Sequence, residues 1–306
     1  MGCVFWLKTA YCRGTGRRTV VGIHGPTEIG PCIGPCIGRI AQQSIFNQDT
    51  HPRHSVSLPI FVISYGNLTV AHYLCHEQPD LLDFDTTVLA ARPGAVVLGR
   101  SALHPGGGGQ VSDAATLTHA HGAARITGVA AEGGLLWHLL DEPLELSGDV
   151  HVAIDAARRA TVAQLHTGTH ILNALVYQRF AGALVTGAQI NADGTARMDF
   201  DLPDADNDAL RALEEPVNDV IRRAMDVRIY YVSAAEAQST EGLIRSLSVA
   251  PPPTSDGRVR IVEIGDLDRQ ACGGTHLSNT AQSRQIRIGK IENKGRRNRR
   301  VRIELV

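Results

Sequence analysis

No stretch of eighteen apolar residues occurs in the 306-residue chain, so a transmembrane helix is not expected. The N-terminus lacks the charged region, apolar stretch and small-residue cleavage site of a signal peptide. These absences make a soluble cytoplasmic protein, with no membrane attachment, the expectation. Charge of one sign is also missing. The net charge is −1, so no global field draws the chain to nucleic acid, and a polyanion must be held by a local basic patch. Cysteine is sparse and uneven: Cys3, Cys12, Cys32, Cys36, Cys75 and Cys272. That is no disulfide framework; it fits a reduced compartment in which Cys272 is free to act as a thiolate ligand. An apolar content of 43% against 20% charged residues suffices for a packed core. The length suggests two domains, or one domain and a tail.

Three regions differ in pattern. Residues 1–67 carry repeated Gly-Pro breaks, including GPCIGPCIG, and have poor periodicity. They are expected to form a poorly ordered or non-native extension. Cys32 and Cys36 lie within it, but two cysteines are an incomplete set for zinc. Residues 68–157 contain short apolar runs bounded by turn residues: TTVLAARPGAVVLG, AARITGVAAE, GLLWHLLDEP and GDVHVAID. Gly133-Gly134 reads as a hairpin turn, and the closely spaced strands predict a small β-barrel. Inside this region lies HPGGGGQVSD, whose glycines permit a sharp turn or a close backbone approach.

Residues 158–306 read as α+β. Val162, Leu165, Leu172, Leu175, Val176 and Phe180 recur at helical spacing. VTGAQI and TARMDF flank the turn NADG as a hairpin. A second helix starts near Asp206 or Asp208, either of which can cap it, and Pro216 inside its apolar stripe predicts a kink or a late start. PPP at 251–253 marks a loop. VRIYYV and RVRIVEI are strands, and SRQIRIGKIE and RRVRIELV form an antiparallel pair that closes the chain.

Four residues with metal affinity, three histidines and one cysteine, fall into two short motifs, HTGTH and CGGTH. His166 and His170, four apart, lie on one face of a helix, one turn from each other. Cys272 and His276 repeat the spacing in a glycine-rich loop. Thiolate and imidazole together suit tetrahedral zinc. Spacing alone leaves a structural and a functional site open. The small or polar neighbours Thr167, Gly168, Thr169, Gly273, Gly274 and Thr275, and the absence of close C-x2-C knuckles, favour function. A zinc protease is excluded, because its helix places a general-base Glu directly after the first His, where this chain has Thr167. Lone histidines such as His104 and His138 read as surface or internally satisfied residues. Glu263, Asp266 and Asp268 are candidates for orienting an imidazole, or ordinary acids of turns and strand ends. The basic run Lys290, Lys294, Arg296, Arg297, Arg299, Arg300 and Arg302, with Arg158 and Arg159, is the best candidate for touching phosphates; it otherwise reads as a solvated hairpin tip.

HTGTHILNALV, GGGGQVSD and IGDLDRQACGGTHLSNT together resemble the free-standing alanyl-tRNA editing proteins, which look like the detached editing domain of alanyl-tRNA synthetase and are related to that of threonyl-tRNA synthetase. The likeness spans about residues 68–306. It departs at Ser101-Ala102-Leu103-His104-Pro105, where relatives commonly carry Thr and then Phe-Tyr-Pro. The resemblance implies a small β-barrel followed by a zinc-binding α+β editing domain, with Zn²⁺ held by His166, His170, Cys272 and His276. It implies a hydrolase that deacylates mischarged tRNA(Ala), carrying serine or glycine, at the acceptor end. No aminoacylation domain and no protein partner are expected. The catalytic candidates are Thr167, Thr169, Gln110 and Thr275. The substrate-binding candidates are Gly107, Gly108, Gly109 and Gln189 with Arg296, Arg297, Arg299 and Arg300 of the basic run; Thr186 is a further hydroxyl-reading candidate. A non-catalytic, zinc-stabilised RNA-binding module is the alternative.

Overall fold

Short alternating segments build the first part of the chain. The computed structural model describes residues 74–203, 206–246 and 257–306. The 1–67 extension, the Cys32/Cys36 pair and the 251–253 loop all lie outside the described residues. After a one-turn helix, α1 (Leu74–Glu77), come six strands: β1 (Asp83–Arg92), β2 (Ala95–Leu98), β3 (Ala115–His119), β4 (Gly122–Glu132), β5 (Leu135–Leu140) and β6 (Gly148–Ile154). They close into an antiparallel barrel in the order β1-β2-β5-β4-β3-β6. Leu117 in β3, Ile126 in β4 and Val150, Val152 and Ile154 in β6 point inward onto Phe84, Val96 and Leu103. Gly133 and Gly134, both at positive φ (61° and 81°), make the β4–β5 turn, as the Gly-Gly pair predicted. Sequence reading passed over β3. Its five residues, ATLTH, hold one large apolar side chain, too little for an alternation signal.

His138 and His104 are both buried and both internally satisfied. In the barrel, His138 Nδ1 donates to the Val96 carbonyl at 3.3 Å, and Nε2 accepts from the Ser101 hydroxyl at 2.8 Å. That is a neutral tautomer, and burial lowers the imidazole pKa to about 4. An unfolded chain takes up this proton near pH 6.5 and the folded chain only near 4, so stability falls as the pH drops through that window. The loss from this residue is at most about 3 kcal/mol. Thermal melts from pH 7 to 4 are expected to show a shallower decline for His138→Gln than for the wild type; parallel curves would refute this.

The second part is organised around one long helix. Asp155 caps α2 (Ala156–Arg179) by accepting from the Arg158 N–H. Then follow β7 (Val185–Ile190), β8 (Thr195–Asp201), α3 (Asn207–Arg211), α4 (Glu214–Arg222), β9 (Val227–Ser233), α5 (Ala234–Ser239), β10 (Arg258–Ile264), β11 (Asp268–Ala271), β12 (Ile286–Asn293) and β13 (Asn298–Leu305). They form a four-stranded sheet, β12-β13-β8-β7, and a three-stranded sheet, β11-β10-β9. Helix α2 contacts β7, β8, α4 and β11, and every residue from Leu165 to Ala174 is buried. The expected apolar stripe faces the sheet, but the polar face is buried too, and it carries the HTGTH motif. Asp206 caps α3, and the expected break appears as a gap between α3 and α4. Pro216 falls in the first turn of α4, where a missing N–H costs little.

A buried ion pair ties the barrel to α2. Arg159 Nε donates to both Asp113 oxygens at 3.0 Å, and its Nη2 to the Ala102 carbonyl at 2.8 Å. Arg159 is therefore not part of a phosphate patch: its charge is spent inside the protein. Arg158 is half-buried, with its guanidinium on the Ser112 carbonyl.

Candidate metal centre

The buried polar face of α2 needs partners, and the loop after β11 supplies them. His166 and His170 project from successive turns, with ring centroids 5.4 Å apart. Cys272 and His276 close from the opposite side. One donor atom from each of the four residues lies within 4.8 Å of all the others. Cys272 Sγ is 3.4 Å from His166 Nε2 and 3.3 Å from His276 Nε2. Zinc bonds of about 2.0–2.3 Å in a tetrahedron put neighbouring donors roughly 3.3–3.6 Å apart, so the donor set fits that ion.

Each imidazole is aimed by a partner on its far nitrogen. His166 Nδ1 donates to Gln110 Oε1 at 2.7 Å, His170 Nδ1 to Asp268 Oδ2 at 3.2 Å, and His276 Nδ1 to Thr167 Oγ1 at 3.2 Å. With the proton fixed on Nδ1, every Nε2 lone pair faces the cluster, as metal ligation requires. Burial disfavours the Cys272 thiolate, but attraction to His166, His276 and His170 outweighs it and holds the thiol well below its usual range. Burial likewise opposes a charged His170, yet the thiolate and Asp268 raise it to about 10. Burial and His166 hold His276 well below its ordinary value.

Gln110 organises the approach from the barrel. Its Oε1 accepts from His166 and from the Thr275 N–H at 3.0 Å, while its Nε2 donates to Thr275 Oγ1 at 2.9 Å and to His104 Nδ1 at 3.2 Å. All four bonds fix which amide atom is oxygen. The glycine loop makes this reach possible. Gly109 sits at φ +92° against β7, where a Cβ would lie 2.6 Å from the Ala188 carbonyl oxygen. Its own carbonyl accepts from the Ile190 N–H at 2.8 Å. Gly107 and Gly108 occupy the open tip at positive φ, with nothing near their missing side chains. At the other wall, a Cβ on Gly274 would lie 2.0 Å from His166 Cε1.

The other candidates fall into two groups. Thr167, Thr169 and Thr275 lie at the cluster and are buried. Thr167 Oγ1 accepts from His276 and from the Leu277 N–H, and Thr169 Oγ1 donates to the His166 carbonyl at 2.7 Å. Thr275 Oγ1 accepts from Gln110 and keeps its own proton to donate. The rest are elsewhere. Gln189 bonds Arg197 and Asn191 on the four-stranded sheet, and Thr186 bonds Asn298. Arg296 is exposed in the β12–β13 turn. Arg297 and Arg300 make two-point contacts with Asp201 and Asp199, and Arg299 is buried.

Sequence reasoning missed several groups around the loop. His76 Nε2 and His104 Nε2 both donate to the Gly273 carbonyl, at 2.7 and 2.9 Å. Burial keeps both rings neutral, His76 at about 4. Buried Arg260 donates to the carbonyls of Cys272 (2.8 Å) and Gly274 (3.1 Å). Of the three acids considered, Asp268 is the one at an imidazole. Arg245 and Gln270 hold it in turn, at 2.9 and 2.7 Å. A signal for this existed: Asp268, Gln270 and Cys272 alternate at the period of a strand and share the face toward α2. Asp266 pairs with Arg223 on the surface.

A six-stranded barrel joined to an α+β body with a His₃Cys cluster is the architecture in which the comparisons with known proteins can be read. Residues 259–302, which include the CGGTH loop, match the family described as the threonyl and alanyl tRNA synthetase second additional domain. The chain belongs to the alanyl-tRNA editing protein family. It is 34% identical over 223 residues to alanyl-tRNA editing protein AlaX-M of Saccharolobus solfataricus, covering 72% of this chain and 92% of that protein. It is 35% identical over 237 residues to the protein of the same name from Methanosarcina mazei, covering 74% and 93%. It is also 31% identical over 220 residues to alanine--tRNA ligase of Korarchaeum cryptofilum, matching 70% of this chain but 24% of that enzyme. No helix among the described residues is long and apolar enough to cross a membrane.

Proposed function

We propose that this protein is a trans-editing deacylase that hydrolyses the ester joining a wrong amino acid to tRNA(Ala), serine first and glycine second. One observation carries the reading: three imidazole Nε2 atoms and one thiolate converge, each ring aimed by its own Nδ1 partner, beside a wall of glycine and threonine. The chemical need is plain. A synthetic site sized for alanine cannot strongly reject glycine, or serine with one added hydroxyl, so a second site must. Zn²⁺, held by His166, His170, Cys272 and His276, would supply Lewis acidity to polarise and orient the ester carbonyl.

The chain's own groups do the positioning. Gln110 is saturated and serves to hold His166 and Thr275. Thr169 spends its proton on the His166 carbonyl, which leaves the O–H groups of Thr275 and Thr167, whose oxygens only accept within the protein, to bond a seryl side chain. Gly107 and Gly108 leave the mouth of the site open to a nucleotide, and Arg296 and Arg297 are exposed in the turn of the basic run. Deacylation measured over a panel of aminoacyl-tRNAs tests the reading. Ser-tRNA(Ala) should be hydrolysed at least about tenfold faster than Ala-tRNA(Ala), as one matched polar group allows; equal rates, or no hydrolysis of any member, would overturn it.

The second reading is a zinc-stabilised RNA-binding module, and the complete set of four protein donors favours it, because closed sites are commonly structural. Chelation separates the two. A structural site unfolds when stripped of metal, whereas a functional one keeps its circular dichroism and loses hydrolysis.

A further inference from the structure

The four-stranded sheet has one face packed on helices and, among the described residues, one without a core. Its outward side chains come from alternate positions: Thr195, Arg197 and Asp199 on β8, and Arg300, Arg302 and Glu304 on β13. Their charges do not balance. Asp199 is shared by two guanidinium groups, with Arg197 at 2.7 Å and Arg300 at 2.7 Å. Glu292 is shared by three cations, Lys290 at 3.3 Å, Lys294 at 3.5 Å and Arg302 at 3.2 Å. Asp201 and Glu304 each hold one arginine, Arg297 and Arg287. Seven cations therefore meet four carboxylates, a local surplus of three positive charges in a chain whose net charge is −1.

Two features give this surplus a shape. Arg197 and Arg302 stand directly opposite each other across β8 and β13. Like charges directly opposite each other destabilise a sheet, and here each guanidinium shares its carboxylate, Asp199 or Glu292, with at least one other cation. Between them and Gln189 runs a groove of about 440 Å³, lined also by Lys290 and Arg300. The groove and the loop that aims His166 share β7: Gln189 lies in the groove, while the backbone at its neighbours Ala188 and Ile190 meets Gly109 and Gln110.

We propose that this groove binds the phosphodiester backbone of RNA and seats the tRNA acceptor arm beside the editing site. The inference rests on the deacylase reading for the identity of the RNA. The contacts expected are point-charge contacts from Lys290 and Arg302, 72% and 50% exposed, which are independent of base sequence.

The test is tRNA(Ala) binding by the full chain, measured across a salt series. The double variant Lys290→Gln with Arg302→Gln should bind about tenfold more weakly near 0.1 M salt. Its plot of log affinity against log salt should be flatter by roughly 1.5, since each lost phosphate contact removes about 0.7–0.9. Glu304→Gln works in the opposite direction: removing a carboxylate should tighten binding and steepen the slope, which misfolding would not do. Unchanged slopes in both variants, or a wild type that does not bind tRNA, would overturn the proposal. Hydrolysis by the wild type is followed on the same tRNA. Its absence would sink the deacylase reading alone and leave the salt slopes to decide the groove.

Discussion

Cys272→Ala is expected to lose bound metal and ester hydrolysis together. The thiolate is the one anionic donor in the cluster. Its attraction to the histidines overcomes the penalty of burial, so removing it leaves three imidazoles facing one another with ring centroids 4.4–5.4 Å apart. Affinity should fall by more than about 100-fold, because even the residues that merely orient ligands control about 10- to 100-fold. Asp268→Ala supplies that comparison: all four donors remain, while His170 Nδ1, Arg245 and Gln270 lose the carboxylate they share. It should fall within the 10- to 100-fold range and recover activity when excess Zn²⁺ is added, as Cys272→Ala should not. Metal content after dialysis, read beside deacylation of Ser-tRNA(Ala), checks both. A Cys272→Ala protein that hydrolyses normally without metal would remove the basis of the functional assignment.

The four residues of the His/Cys cluster were legible in the sequence because their chemistry is local. The i,i+4 spacing of His166 and His170 needs only a helix, and the repeat of that spacing at Cys272 and His276 needs only a short loop. The barrel was legible because five of its strands carry their own apolar runs; ATLTH did not. What stayed hidden depends on long-range contacts. Gln189 and Gln110 look equally suited to a site in the sequence. Pairing of Gly109 with β7 sends Gln110 inward to His166, and strand alternation sends Gln189 outward to Arg197. The basic run misleads for a similar reason. Its charge depends on carboxylates about a hundred residues away, at Asp199 and Asp201, which no local pattern pairs with it. His76 and His104 converge on one carbonyl, that of Gly273, from distant segments, and neither has a motif of its own.

Gly274→Ala and Gly273→Ala, neighbouring substitutions of the same size, are expected to behave in opposite ways. Neither glycine has a positive φ, so alanine strains the backbone at neither position. At 273 an added methyl meets nothing within 4 Å, and the variant should bind metal and fold as the wild type does. At 274 the methyl would stand 2.0 Å from His166 Cε1, 2.2 Å from its Nδ1 and 2.6 Å from Gln110 Oε1. None of these atoms is the loose end of a flexible chain. The imidazole belongs to the buried stretch 165–174 of α2, and Gln110 is held by four hydrogen bonds. The ring must leave its position or the loop must lift, and either motion breaks the Gln110–His166 bond and separates His166 Nε2 from Cys272 Sγ. Metal affinity should fall about 100-fold or more, and the visible spectrum of the Co²⁺-loaded protein should lose the intensity of a tetrahedral site. Matching spectra for the two alanine variants would mean that the CGGTH loop does not pack on His166, and the metal centre as drawn would have to be abandoned.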